Sequence, residues 1–128
     1  MSTAAPIPSN AELEILRLLW KDGPQTVRAI HDTLREERNV GYTTVLKTMQ
    51  LMAEKKLVKR DETERSHVYT AAVAEKAVKK RLVADLLDRA FDGSAAQLVM
   101  QALSDKPASD EDLRKIRELL RKTSRDRQ

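Results

Sequence analysis

The chain has 128 residues, 41% of them apolar and 34% charged, with a formal net charge of +4 and no Cys. That length holds one compact domain or two very small ones, and it excludes a barrel or a doubly wound sheet. The lack of Cys removes disulfides, thiolate metal sites and a Cys nucleophile, and His31 and His67 cannot build a zinc centre by themselves. No metal and no cofactor is expected.

Only 3 Gly and 4 Pro break the chain, which therefore reads as mainly α. Residues 1–8 are small and Pro-rich and read as a flexible arm. Ser9 followed three residues later by Glu12 has the capping-box spacing, so a helix begins there and buries Leu13, Leu16, Leu19 and Trp20. Gly23-Pro24 stops it. Thr26 caps a second helix whose inner face is Val27, Ile30 and Leu34 and which fades through Glu36-Glu37-Arg38-Asn39.

A third helix runs from Thr43, with Val45, Met49 and Met52 facing inward at i, i+4 and i+7. Opposite them at about 100° per residue lie Thr43, Lys47, Gln50 and Glu54, three of which are types that hydrogen-bond base edges or phosphates. Leu46 and Leu51 flank that outward side. Leu57-Val58-Lys59-Arg60, a polar loop, and His67-Val68-Tyr69-Thr70 then read as a hairpin, with Tyr69 packing on the third helix. Three short helices followed by a hairpin is the winged helix-turn-helix layout, in which the third helix enters the major groove of duplex DNA. Residues 9–72 are assigned to this domain.

Charge placement agrees with a DNA partner. From Arg38 to Arg60 six bases face the single acid Glu54, whereas the rest of residues 1–71 holds five bases and nine acids. Positive charge thus concentrates on the presumed reading element, as attraction to phosphate requires. The hairpin tip is mixed, because Asp61, Glu62 and Glu64 surround Arg65. Thr43, Thr44, Lys47 and Gln50 are the candidates for base edges and nearby phosphates, and Lys55, Arg60, Arg65 and His67 for the backbone. The competing reading is a winged helix that binds protein rather than DNA. An enzyme is not expected, since there is no Gly-rich phosphate loop and no spacing that suggests a triad.

Residues 73–122 read as a three-helix domain. Glu75 to Phe91 forms one long helix with two apolar rows, Val78, Leu82, Leu86 and Ala90 beside Val83, Leu87 and Phe91. Asp92-Gly93 breaks it, Ser94 caps a short helix carrying Leu98, Val99, Ala102 and Leu103, and Ser109 starts a last one with Leu113, Ile116, Leu119 and Leu120. A domain this small is marginal alone, so the broad apolar band is expected to be buried against a second copy, the homodimer, with Leu82, Leu86, Leu98, Leu103, Ile116 and Leu120 as its core. Residues 123–128 form a basic tail, expected to fray. No run is long enough to cross a membrane and no signal peptide is present, so a cytoplasmic protein without membrane insertion is expected.

Tyr42-Thr43-Thr44-Val45, followed by Met49, Met52 and Lys55-Lys56-Leu57-Val58, resembles the recognition-helix signature of the penicillinase repressor family (BlaI/MecI/CopY). The resemblance continues through Leu13 to Trp20, Gln25-Thr26-Val27, Arg65 to Tyr69 and Phe91-Asp92-Gly93-Ser94, and covers Ser9 to Lys122. It implies a homodimeric repressor of transcription that occupies a palindromic operator. In the antibiotic-resistance branch, it also implies a sensor-linked protease that cleaves the C-terminal domain in response to β-lactams.

The position equivalent to that cleavage site falls at Gln101-Ala102, without the Asn-Phe dipeptide of some relatives. The copper branch senses metal through C-terminal thiolates, which this Cys-free chain lacks. Lys56 replaces the Gly common after the helix, at a cost of about 1 kcal/mol if the backbone there is left-handed.

Overall fold

A computed structural model of the chain describes residues 6–63 and 65–126. Residues 1–5 of the N-terminal arm, Glu64 at the hairpin tip and the last two residues of the tail lie outside the described residues. The elements run α1 (Asn10–Asp22), β1 (Gln25–Thr26), α2 (Val27–Leu34), α3 (Tyr42–Glu54), β2 (Val58–Asp61), β3 (Val68–Ala71), α4 (Glu75–Ala90), α5 (Ala95–Asp105) and α6 (Asp110–Asp126). The chain divides into two compact units, the first ending at Ala84 and the second starting at Asp85, so the division falls inside α4.

In the first unit, α1, α2 and α3 surround one core with the sheet against them. Leu16, Ile30, Met49 and Met52 are wholly buried there, joined by Ile15, Leu19, Val27, Leu34, Val45, Leu57, Val58 and Tyr69. Leu13 and Trp20 are only half-buried. Ile15 takes the inner place, and Trp20 spans the rim, where its Nε1 donates to the Val73 carbonyl at 2.9 Å. Pro8, at the end of the arm, is buried, so the arm is anchored before α1 begins.

The sheet has three strands in the order β1-β3-β2, one more than the hairpin predicted. β2 and β3 pair antiparallel with Arg60 opposite Tyr69, and β1 adds Gln25 opposite Tyr69 and Thr26 opposite Val68. Thr26 also caps α2, its hydroxyl accepting from the Ala29 N–H at 3.2 Å. Together with the three helices, this sheet is the winged helix-turn-helix arrangement.

The turn from α3 to β2 is a Schellman motif. The Leu57 N–H donates to the Met52 carbonyl at 2.9 Å and the Lys56 N–H to the Ala53 carbonyl at 3.1 Å, with Lys56 at φ 65°. Leu57 and Met52, both buried, supply the apolar contact that accompanies the motif. A lysine therefore sits where glycine is least strained.

The second unit holds α5, α6 and the end of α4. Asp92 and Gly93 both take positive φ, 49° and 78°, at the turn out of α4, and Ser94 and Ser109 each accept a backbone N–H at the start of the next helix. α6 continues to Asp126, so the tail predicted to fray is helical through that residue. Its acidic first turn and Arg125 in its last both suit the helix dipole. Among the described residues no helix is long and apolar enough to cross a membrane.

Candidate nucleic-acid interface

The position of α3 is fixed by its inner face, since Val45, Met49 and Met52 are each 2% exposed or less. A helix pinned on that side must present the other. Thr43, Thr44, Lys47 and Gln50 are all exposed there. Gly41 precedes the helix as an N-cap without a side-chain hydrogen bond. The helix has no acid in its first turn, so its positive end is not neutralised by a side chain of its own.

Two grooves flank this helix. The first, of about 330 Å³, lies between Thr26, Val27 and Arg28, the α3 residues Tyr42 and Leu46, and the hairpin residues Arg65, Ser66 and His67. It brings two of the predicted backbone contacts, Arg65 and His67, to the start of the reading helix. The second, lined by Gln50, Ala53, Glu54, Arg60 and Glu62, lies toward the end of α3 and holds a third.

Arg28 and Tyr42 belong to the first groove, although sequence reasoning named neither as a site residue. The Arg28 guanidinium stands 5.7 Å from the centre of the Tyr42 ring, a cation–π distance. The His31 ring meets the same tyrosine edge-on, with centroids 5.7 Å apart and planes at 88°. His31 Nε2 lies 2.8 Å from the Val40 carbonyl, which can only accept, so Nε2 carries the proton. Tyr42 is thereby held between two residues of α2. The available signal was Arg28 itself, an exposed base immediately after the buried Val27 on the helix that precedes the reading helix.

The predicted backbone contacts differ in how free they are. Lys55 Nζ pairs at 2.8 Å with Glu12 Oε2, and Glu12 is buried. Burial pushes the Glu12 carboxyl up, but hydrogen bonds from Lys55 and the Ser9 N–H, with the charge of Lys55, more than offset this and hold it below its ordinary value. Lys55 is thus engaged in the fold. Arg60 is paired at 2.7 Å with Glu62 Oε1. Its guanidinium is held above its ordinary value by a hydrogen bond to Tyr69 and by the Glu62 charge. Asp61 accepts from both the N–H and the hydroxyl of Thr63, which lowers its pKa and keeps the near side of the wing acidic.

The residues expected in the dimer core lie on α4, α5 and α6. Leu82, Leu98, Leu103 and Ile116 are half-buried, and Leu86 and Leu120 are 45% and 62% exposed. Gln101 and Ala102 are exposed on the second turn of α5, where Gln101 Nε2 donates to both carboxylate oxygens of Asp105 at 3.2 and 3.3 Å. Among the described residues no group of three or more His, Asp or Glu could hold a metal ion.

The sequence model of a family described as penicillinase repressor matches residues 8–122. The transcriptional regulator BlaI of Mycobacterium tuberculosis is 31% identical over 101 residues, covering 78% of this chain and 73% of that protein. Among solved structures, wild-type ZitR of Lactococcus lactis in complex with DNA covers 100% of this chain and 82% of its own at 22% identity, with a TM-score of 0.45. The transcriptional regulator Tm0710 of Thermotoga maritima covers 91% and 73% at 17% identity, with a TM-score of 0.47.

Proposed function

The chain belongs to the penicillinase repressor family, and from that premise we propose that this DNA-binding transcriptional repressor works as a homodimer seated on a palindromic operator. The observation that carries the reading is the division of α3, with Val45, Met49 and Met52 locked inward and Thr43, Thr44, Lys47 and Gln50 exposed along the other side. Lys47 and Gln50 are suited to guanine and adenine edges, and Thr43 and Thr44 to bases or the nearest phosphates. Arg65 and His67, with Arg28 across the groove, are placed to position the backbone without reading sequence.

The dimer is supported by the second unit. No described residue of α5 or α6 is buried, and Val99, Met100, Leu119 and Leu120 are 46–66% exposed. Apolar surface left open on this scale is stabilised by a partner with the same surface. Two linked readers also gain effective concentration on a two-fold symmetric site.

Relief of repression by a sensor-linked protease cutting at Gln101-Ala102 completes the proposal. A protease needs extended chain, and in the single chain α5 buries none of its residues, so its unwinding is cheapest where the partner does not cover it. The test of the whole reading starts with duplexes selected from genomic fragments by the full chain. Affinity should fall steeply with salt, sedimentation should give twice the chain mass, and Lys47→Ala should cost about 1–3 kcal/mol if Lys47 meets a guanine. Salt-independent retention, or a monomer at full affinity, would refute it. Mass spectrometry after β-lactam exposure of the host should find a fragment ending at Gln101.

A further inference from the structure

On the outward side of α3 one large apolar side chain stands free. Leu51 is 46% exposed, four residues after Lys47 and seven after Thr44, so at about 100° per residue all three share a face. Leu46, the other leucine near that side, is half-buried and packs on the core, so its position follows from folding. Leu51 is outside that core cluster, and nothing in the packing of the first unit accounts for a leucine at this place. A polar or basic residue would hydrate at lower cost.

Base edges in the major groove offer one apolar group, the C5 methyl of thymine. We infer that Leu51 is a specificity-determining residue that reads a thymine through this methyl, one turn beyond the bases met by Lys47. The inference rests on the DNA-binding reading proposed above. Charge supports this occupant over an apolar protein segment. Of the bases from Arg38 to Arg60, Arg38, Lys55 and Arg60 are paired with Glu14, Glu12 and Glu62, but Lys47, one turn before Leu51, makes no ion pair with a described residue, and Gln50 and Glu54 lie on the same side. A duplex pairs with Lys47 and supplies the methyl together, whereas an apolar segment would leave Lys47 facing nothing of opposite sign.

The experiment uses the full chain and the duplex it selects from a random pool. Each thymine of that duplex is replaced in turn by deoxyuridine, which deletes the methyl and leaves every hydrogen-bonding group in place. One thymine in each half-site should be sensitive, its replacement weakening the wild-type complex about fourfold, the effect of one buried carbon. Leu51→Ala, which exposure makes tolerable to the fold and which a thermal melt checks, should bind the unmodified duplex more weakly and lose sensitivity at that one position alone. Equal sensitivity of the two proteins at every thymine, or no sensitive thymine for the wild type, overturns the inference while leaving DNA binding intact. Failure of the wild type to select any duplex overturns both.

Discussion

Lys55 Nζ stands 2.8 Å from Glu12 Oε2, tying the end of the reading helix to the first turn of α1 across 43 residues of sequence. The other Glu12 oxygen accepts from the Ser9 N–H at 2.8 Å, so one buried carboxylate closes the cap of α1 and anchors the exit of α3. Lys55→Ala should therefore act on the fold. Leaving a buried acceptor short of its cation costs roughly 1–3 kcal/mol, read as a lower thermal midpoint, while the slope of log affinity against log salt stays that of the wild type. Arg65→Ala should do the reverse, leaving the melt unchanged and flattening the slope by about 1.

The same carboxylate sets a pH dependence. Its folded pKa is lowered, so the stability it contributes is full above the ordinary glutamate value and is lost as pH falls through the lowered one. In chemical denaturation between neutral and acidic pH, the stability gap between wild type and Glu12→Gln should be widest near neutrality and close at the acid end. A gap that holds constant would show that Glu12 is not ionised in the folded chain.

Glu62 holds Arg60 at 2.7 Å, which makes it an internal competitor for DNA phosphate. Glu62→Gln should raise affinity for non-operator duplex and steepen the salt slope by about 1, as one more cation becomes free to displace a counterion. An unchanged slope would mean that Arg60 stays on the hairpin, held by Tyr69, in the complex.

Lys56 at φ 65° gives a test of backbone strain. Lys56→Gly should stabilise the first unit by up to about 1 kcal/mol, reduced by the greater freedom of glycine in the unfolded chain, whereas Lys56→Ala should change little. Equal effects of the two on the thermal midpoint would remove strain as the cause.

Leu86 is 45% exposed, and Leu86→Asp should halve the sedimenting mass and weaken operator binding while single half-sites are still bound. Persistence of the dimer would place the contact on a different face of the second unit.

Most of the first unit could be read from the sequence, because its signals are local. Ser9 and Glu12 are three residues apart, and Val45, Met49 and Met52 repeat along one helix. What stayed hidden depends on partners distant in the chain. Burial of Glu12 is affordable only because Lys55 arrives from 43 residues away. The two residues of β1 have no strand signature of their own and become a strand only when Tyr69 and Val68 come alongside. Arg28 and Tyr42 meet only once α2 and α3 pack, so their pairing could not be read from either segment alone. α6 ran further than its polar tail suggested, since good helix formers and a favourable charge order continue to Asp126.

Thr26 has two duties, pairing with Val68 of the hairpin and closing the first turn of α2 through its hydroxyl. The strand that meets the hairpin thus runs straight into the helix that carries Arg28 and His31, the two residues set against Tyr42. Removing the Thr26 hydroxyl therefore uncaps α2 at the very residue through which β1 meets β3.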